Sequence, residues 1–164
     1  MKHRLLAALA PAAAAVAIAS CGGGSGGSPH ATPTPRSGAS GSGATITLTQ
    51  SKLGSYLSDG KGRSLYLFEA DKGTSSTCSS ACASIWPPLT ASGAVKPGTG
   101  VSASLLGITK RTDGSAEVTY NGHPLYYYVG DDRRGQTTGQ GLNQFGAKWY
   151  LVAANGNKIH SDGS

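Results

Sequence analysis

Two stretches of this chain repeat each other at a fixed distance, and that duplication limits the folds open to it more than any other feature. Shifting the sequence by 60 residues lays Gly62 on Gly122, Leu65 on Leu125, Tyr66 on Tyr126, Phe68 on Tyr128 and Asp71 on Asp131. Each copy is followed by a variable loop and then a tryptophan, Trp86 in the first and Trp149 in the second. In a β-strand alternate side chains share a face, so Tyr66 and Phe68 point one way while Leu65 and Leu67 point the other. The same alternation sets Tyr126 and Tyr128 against Leu125 and Tyr127. Both faces of each ribbon are apolar and need cover, so the two halves are expected to face each other about a pseudo-twofold axis.

The rest of the chain supports an all-β fold. Short segments rich in Tyr, Val, Ile, Leu and Thr occupy 44–49, 54–57, 64–69, 105–110, 116–120, 124–129 and 148–153. Between them lie Asp59-Gly60, Lys61-Gly62, Asp113-Gly114, Asn121-Gly122 and Asn155-Gly156, dipeptides that accept the positive φ of tight hairpin turns. The pattern predicts antiparallel sheets from two pseudo-symmetric repeats, about 45–100 and 101–160, forming a sandwich or small barrel. Residues 45–164 are enough for one domain and too few for two. The gap from Glu69 to Leu105 reads as a long irregular arm carrying Cys78, Cys82 and Trp86-Pro87-Pro88.

The N-terminus has a different character. Lys2, His3 and Arg4 precede an apolar run from Leu5 to Ile18, which ends in Ile18-Ala19-Ser20-Cys21. A basic head, an apolar stretch shorter than the about 20 residues of a spanning helix, and small residues before a cleavage point make 1–20 a signal peptide. The cysteine at that point resembles the lipobox of bacterial lipoproteins. That resemblance implies that Cys21 is acylated and becomes the new N-terminus, anchoring the protein to the outer face of the cytoplasmic membrane. Two acyl chains suffice for this where one does not. From Gly22 to Ala44 the chain is mostly Gly, Ser, Thr and Pro, too polar to offset the entropy of ordering, and it reads as a tether. Gly23-Gly24-Ser25-Gly26-Gly27 matches the G-x-S-x-G nucleophile pattern, but that pattern needs a strand before it and a helix after it.

Charge excludes one class of partner. The chain is formally +6; loss of Lys2 and Arg4 with the signal leaves 12 basic and 8 acidic residues, or +4. Apart from Lys110-Arg111 and Arg133-Arg134 the basic residues are scattered, without the dense stripe that tracks nucleic acid. The expected partners are the membrane, through the acyl chains, and a cell-wall polymer or another envelope protein.

The segments Leu65-Tyr66-Leu67-Phe68-Glu69-Ala70-Asp71 and Leu125-Tyr126-Tyr127-Tyr128-Val129-Gly130-Asp131 resemble the Y-x-[FWY]-x-x-D motif of the secreted-repeat bacterial lipoproteins. Cys78, Cys82, Trp86-Pro87-Pro88 and Asn121-Gly122 before Pro124 share the likeness. It implies an exported lipoprotein built of tandem repeats and brings no catalytic residues with it.

The motif residues admit two readings. In the structural one the aromatics form a core, and Asp71 and Asp131 accept backbone N–H bonds to fix the turns that end the strands. In the other, two quasi-equivalent Tyr/Asp pockets take a sugar, peptide or cation. The cysteines are likewise open to two readings. Cys78 and Cys82 pair as a disulfide in an oxidising compartment and pin the arm that delivers Trp86. Alternatively they serve thiol-redox chemistry or bind Cu(I), with His123 or His160 as third ligand. Hydrolytic and nucleotide chemistry find little support: Gly139-Gln140-Gly141 meets Gln144 where a third glycine is needed, and the adjacent carboxyls of Asp131-Asp132 diverge rather than flank a bond. The expectation is a noncatalytic envelope component with no cofactor.

Overall fold

The computed structural model describes residues 43–160. The signal segment, Cys21 and nearly all of the tether lie outside the described residues. The Ala44 carbonyl accepts a bond from the Lys96 N–H at 2.8 Å, and Ala44 packs on the core.

Among the described residues nine short strands carry the fold. β1 (Thr45–Ser51) and β2 (Gly54–Asp59) form a hairpin, and β4 (Lys96–Pro97) lies parallel to β1 on its other edge. β5 (Leu106–Lys110), β6 (Ala116–Tyr120) and β7 (His123–Pro124) form an antiparallel meander. The third sheet joins distant parts of the chain, with β9 (Ala147–Leu151) between β3 (Tyr66–Phe68) and β8 (Asn143–Gln144). Among the described residues one helix, α1 (Ala81–Ile85), and one 3-10 turn at Ala103–Leu105 complete the elements. The all-β expectation holds.

The duplicated ribbons meet at matching positions. Tyr66 donates its backbone N–H to the Tyr126 carbonyl, and Tyr126 donates back to Tyr66, both at 2.9 Å. Because these two tyrosines correspond under the 60-residue shift, the exchange relates the halves by a local twofold through that pair. The ribbons separate two cores, as two-sided apolar strands must. On one side lie Leu65, Leu67 and Leu125 with Ile46, Leu57, Leu89, Val118, Tyr120, Tyr150 and Val152. On the other lie Tyr66, Phe68 and Tyr126 with Tyr56, Trp86, Trp149, Leu151 and the two cysteines.

The expected strand over 124–129 is corrected. Only His123 and Pro124 belong to a ladder, and the residues after them hand their N–H groups to different neighbours: Leu125 to Val118, Tyr126 to Tyr66, Tyr127 to Pro87 and Val129 to Ile85. Pro124 has no N–H to give, and a segment wedged between several partners forms no continuous ladder. The first copy is similarly shorter than 64–69, its regular part being Tyr66–Phe68. The arm also holds a helical turn, α1, immediately before Trp86.

Candidate functional site

Six aromatic rings, three from each half, form the centre of the second core. Phe68, Trp149, Trp86 and Tyr128 stack in that order, with centroid separations of 4.1, 4.0 and 4.4 Å. Tyr66 meets Trp86 edge-on at 5.3 Å, and Tyr126 meets Trp149 edge-on at 5.1 Å. The order matters. Phe68 of the first copy lies on Trp149 of the second, and Tyr128 of the second lies on Trp86 of the first, so each half completes the other's stack. Each such pair contributes about 0.5–1.5 kcal/mol beyond burial of its area. Both tryptophans, Tyr66 and Tyr126 are fully buried, Phe68 nearly so, and Tyr128 is half-buried.

The aspartates of the motif make the same crossing. The Tyr66 hydroxyl donates to Asp131 Oδ2 at 2.5 Å, and the Tyr126 hydroxyl donates to Asp71 Oδ2 at 2.7 Å. The other carboxylate oxygen stays local. Asp71 Oδ1 accepts from the N–H and hydroxyl of Thr77 at 2.7 and 2.8 Å, and Asp131 Oδ1 accepts from those of Thr138 at 2.9 and 2.6 Å. Each aspartate therefore ties down its own loop and also reaches across to the other copy. Burial, reinforced by the Asp131 carboxylate, pushes the Tyr66 hydroxyl far above its ordinary range. Burial and the Glu117 charge do the same to Tyr126. Both hydroxyls remain protonated donors, a state suited to holding a carboxylate rather than attacking a substrate.

Beside Asp71 the symmetry breaks. Arg111, 7 % exposed, donates to Glu117 Oε2 at 2.8 Å, to the Ser76 hydroxyl at 2.6 Å and to the Cys78 carbonyl at 2.5 Å. Ser76 in turn bonds the Tyr126 hydroxyl at 2.6 Å. Glu117 is fully buried and its Oε1 has no partner. Burial, only partly countered by Arg111, pushes its carboxyl up to about 7. Sequence reasoning missed this pair: Lys110-Arg111 stands out only as a basic doublet, and Glu117 sits in a strand whose partner faces cannot be assigned without the fold.

A family model described as a secreted repeat of unknown function matches the chain twice, at residues 47–90 and 107–153. The matched segments start 60 residues apart, as the internal shift requires, and together cover more than half of the chain. The chain belongs to this secreted-repeat family. Each match ends just past its tryptophan, so the family's unit contains one motif ribbon and one indole of the shared stack. The family's description as a secreted repeat supports export. No curated protein and no solved structure matches the chain.

Within this secreted-repeat fold Cys78 and Cys82 are joined as a disulfide, with Cα atoms 5.2 Å apart. Both are buried at the head of α1, which runs directly into Trp86. The link thus pins the arm that carries the first indole. His123 stands elsewhere, at the β6–β7 turn, lining a cavity of about 1030 Å³ together with His160, Glu69 and Lys158. Among the described residues no three His, Cys, Asp or Glu side chains converge as a metal site would require, so His123 does not complete a ligand set with the cysteines.

The sequence also hid a hairpin. β8 and β9 are joined by Phe145-Gly146, and Gln144 at its base receives both indoles: Trp86 Nε1 donates to its side-chain oxygen at 2.8 Å and Trp149 Nε1 to its carbonyl at 3.2 Å. Phe-Gly is not among the dipeptides that signal a tight turn, so β8 carried no strand prediction although most of β9 lies in the expected segment 148–153.

Proposed function

We propose that this protein is a lipid-anchored, noncatalytic module of the bacterial cell envelope, held by acyl groups on Cys21 to the outer face of the cytoplasmic membrane. Its folded domain serves as a rigid display body for a binding or structural role. One observation carries the noncatalytic part: the Tyr66–Asp131 and Tyr126–Asp71 bonds spend the repeated motif's hydroxyls and carboxylates on each other inside the molecule. The motif is a device for locking two repeats, and the surface around it is left to meet partners such as a cell-wall polymer or another envelope protein. The family's description as a secreted repeat and the small residues before Cys21 support export and acylation.

Labelling cells with a clickable fatty acid and isolating the protein tests the anchor. The label is expected on wild type and absent from Cys21→Ser. An unlabelled wild-type chain, or a Cys21→Ser chain that still takes the label, would end this reading.

A further inference from the structure

The hairpin tip Phe145-Gly146 adopts φ values of 58° and 88°, the left-handed pair of a type I′ turn. That geometry suits Asn and Gly, and a β-branched or bulky residue adopts it only under strain. The same chain shows the relaxed choice: the two-residue turn between β6 and β7 is Asn121-Gly122, with φ values of 49° and 80°. At the equivalent place in the β8–β9 turn stands a phenylalanine, and it is 47 % exposed. A strained residue that buries only part of its ring is poorly explained by folding.

Its surroundings are apolar. Phe145 lines a cavity of about 520 Å³ with Ile85, Tyr128, Val129, Gly130 and Gln144, none of them charged. Of the four large hydrophobic side chains exposed among the described residues, Ile85, Val129 and Phe145 meet here; Ile108 does not. The floor is the Tyr128 ring, stacked on Trp86, and the hairpin base is clamped by both indole N–H bonds to Gln144. The central stack therefore holds an aromatic tip rigidly outward. Lys148, exposed and paired with Asn143 across the hairpin, places a cation behind that tip.

We propose that this patch docks the domain onto the anionic bilayer to which the chain is tethered, with Phe145, Val129 and Ile85 entering the headgroup region. The inference rests on the lipid-anchor reading. Residues 22–42 are all that separate Cys21 from the first described residue, so acylation of Cys21 would keep the domain within a short chain's reach of lipid. A mature net charge of +4 draws the domain toward anionic headgroups. Interfacial binding strengthens with buried apolar area and with attraction to anionic lipid, and the tip and the net charge supply one each.

The test uses the mature chain from residue 21 with Cys21→Ser, which is unacylated, and vesicles of equimolar phosphatidylcholine and phosphatidylglycerol. Co-sedimentation of that chain is expected, and Phe145→Asn should weaken it by about tenfold or more, the loss expected for a partly buried aromatic ring. The urea midpoint of Phe145→Asn should equal or exceed its parent's, because Asn relieves the turn. Failure of the parent to sediment, undiminished binding by Phe145→Asn, a lowered midpoint, or self-association through the patch in place of vesicle binding would each overturn the proposal. Because the chain carries no lipid in this assay, its outcome is independent of whether Cys21 is acylated in cells.

Discussion

At the scale of single residues, the motif tyrosines and aspartates are structural ties whose value follows from burial. A hydrogen bond to a charged acceptor in the interior contributes about 1.5–3 kcal/mol. Tyr66→Phe should cost about that much by urea denaturation, leaving Asp131 with Thr138 alone, and Tyr126→Phe should cost a similar amount. Glu117 gives the fold a pH dependence. Its carboxyl, raised by burial to about 7, lies above the unfolded value of about 4.3. The folded state then binds the proton more tightly, so this stability is full below pH about 4.3 and is lost as pH rises through about 7. Stability is expected to fall by roughly 1–3 kcal/mol between acidic and mildly alkaline buffer, and Glu117→Gln should flatten the profile in the same denaturation series.

Among the elements, the arm from Glu69 to Leu105 shows how an irregular segment is kept in place. The Cys78–Cys82 link closes a very small ring, for which chain entropy gives about 2 kcal/mol. Replacing both cysteines with serine should lower the unfolding free energy by about that amount and loosen Trp86, seen as a change in its near-ultraviolet circular dichroism. The strands themselves were largely legible beforehand, because Ile46, Leu57, Val118 and Trp149 lie in segments of clear β composition bounded by turn dipeptides. The weak points were segments whose order comes from outside themselves. Tyr126 to Val129 takes its bonds from several neighbours, and β8 exists because two indoles grip Gln144. No local pattern announces either. The candidate surface was illegible for the same reason, since Ile85, Val129 and Phe145 come from three separate segments and meet only in the fold.

For the whole molecule, the two repeats form one body because each leaves its contacts incomplete. The 60-residue shift made the duplication and the two-sided ribbons readable, and the two cores on opposite sides of those ribbons agree with it. What the shift did not reveal is the exchange: Tyr66 with Asp131, Tyr126 with Asp71, Phe68 with Trp149 and Tyr128 with Trp86. Pairing within each copy and pairing across copies are equally consistent with the sequence. Only the crossed arrangement makes the halves mutually dependent, and that dependence is the claim on which the scaffold reading stands. Native-state hydrogen exchange compared between wild type and Tyr66→Phe tests it most directly, using the backbone amides of Leu57 and Leu65 in the first repeat and Val118 and Leu125 in the second, all hydrogen-bonded in the fold. The expected result is one shared opening free energy for all four, lowered equally by the substitution; a drop confined to the first repeat, with Val118 and Leu125 as protected as before, would contradict an interlocked fold.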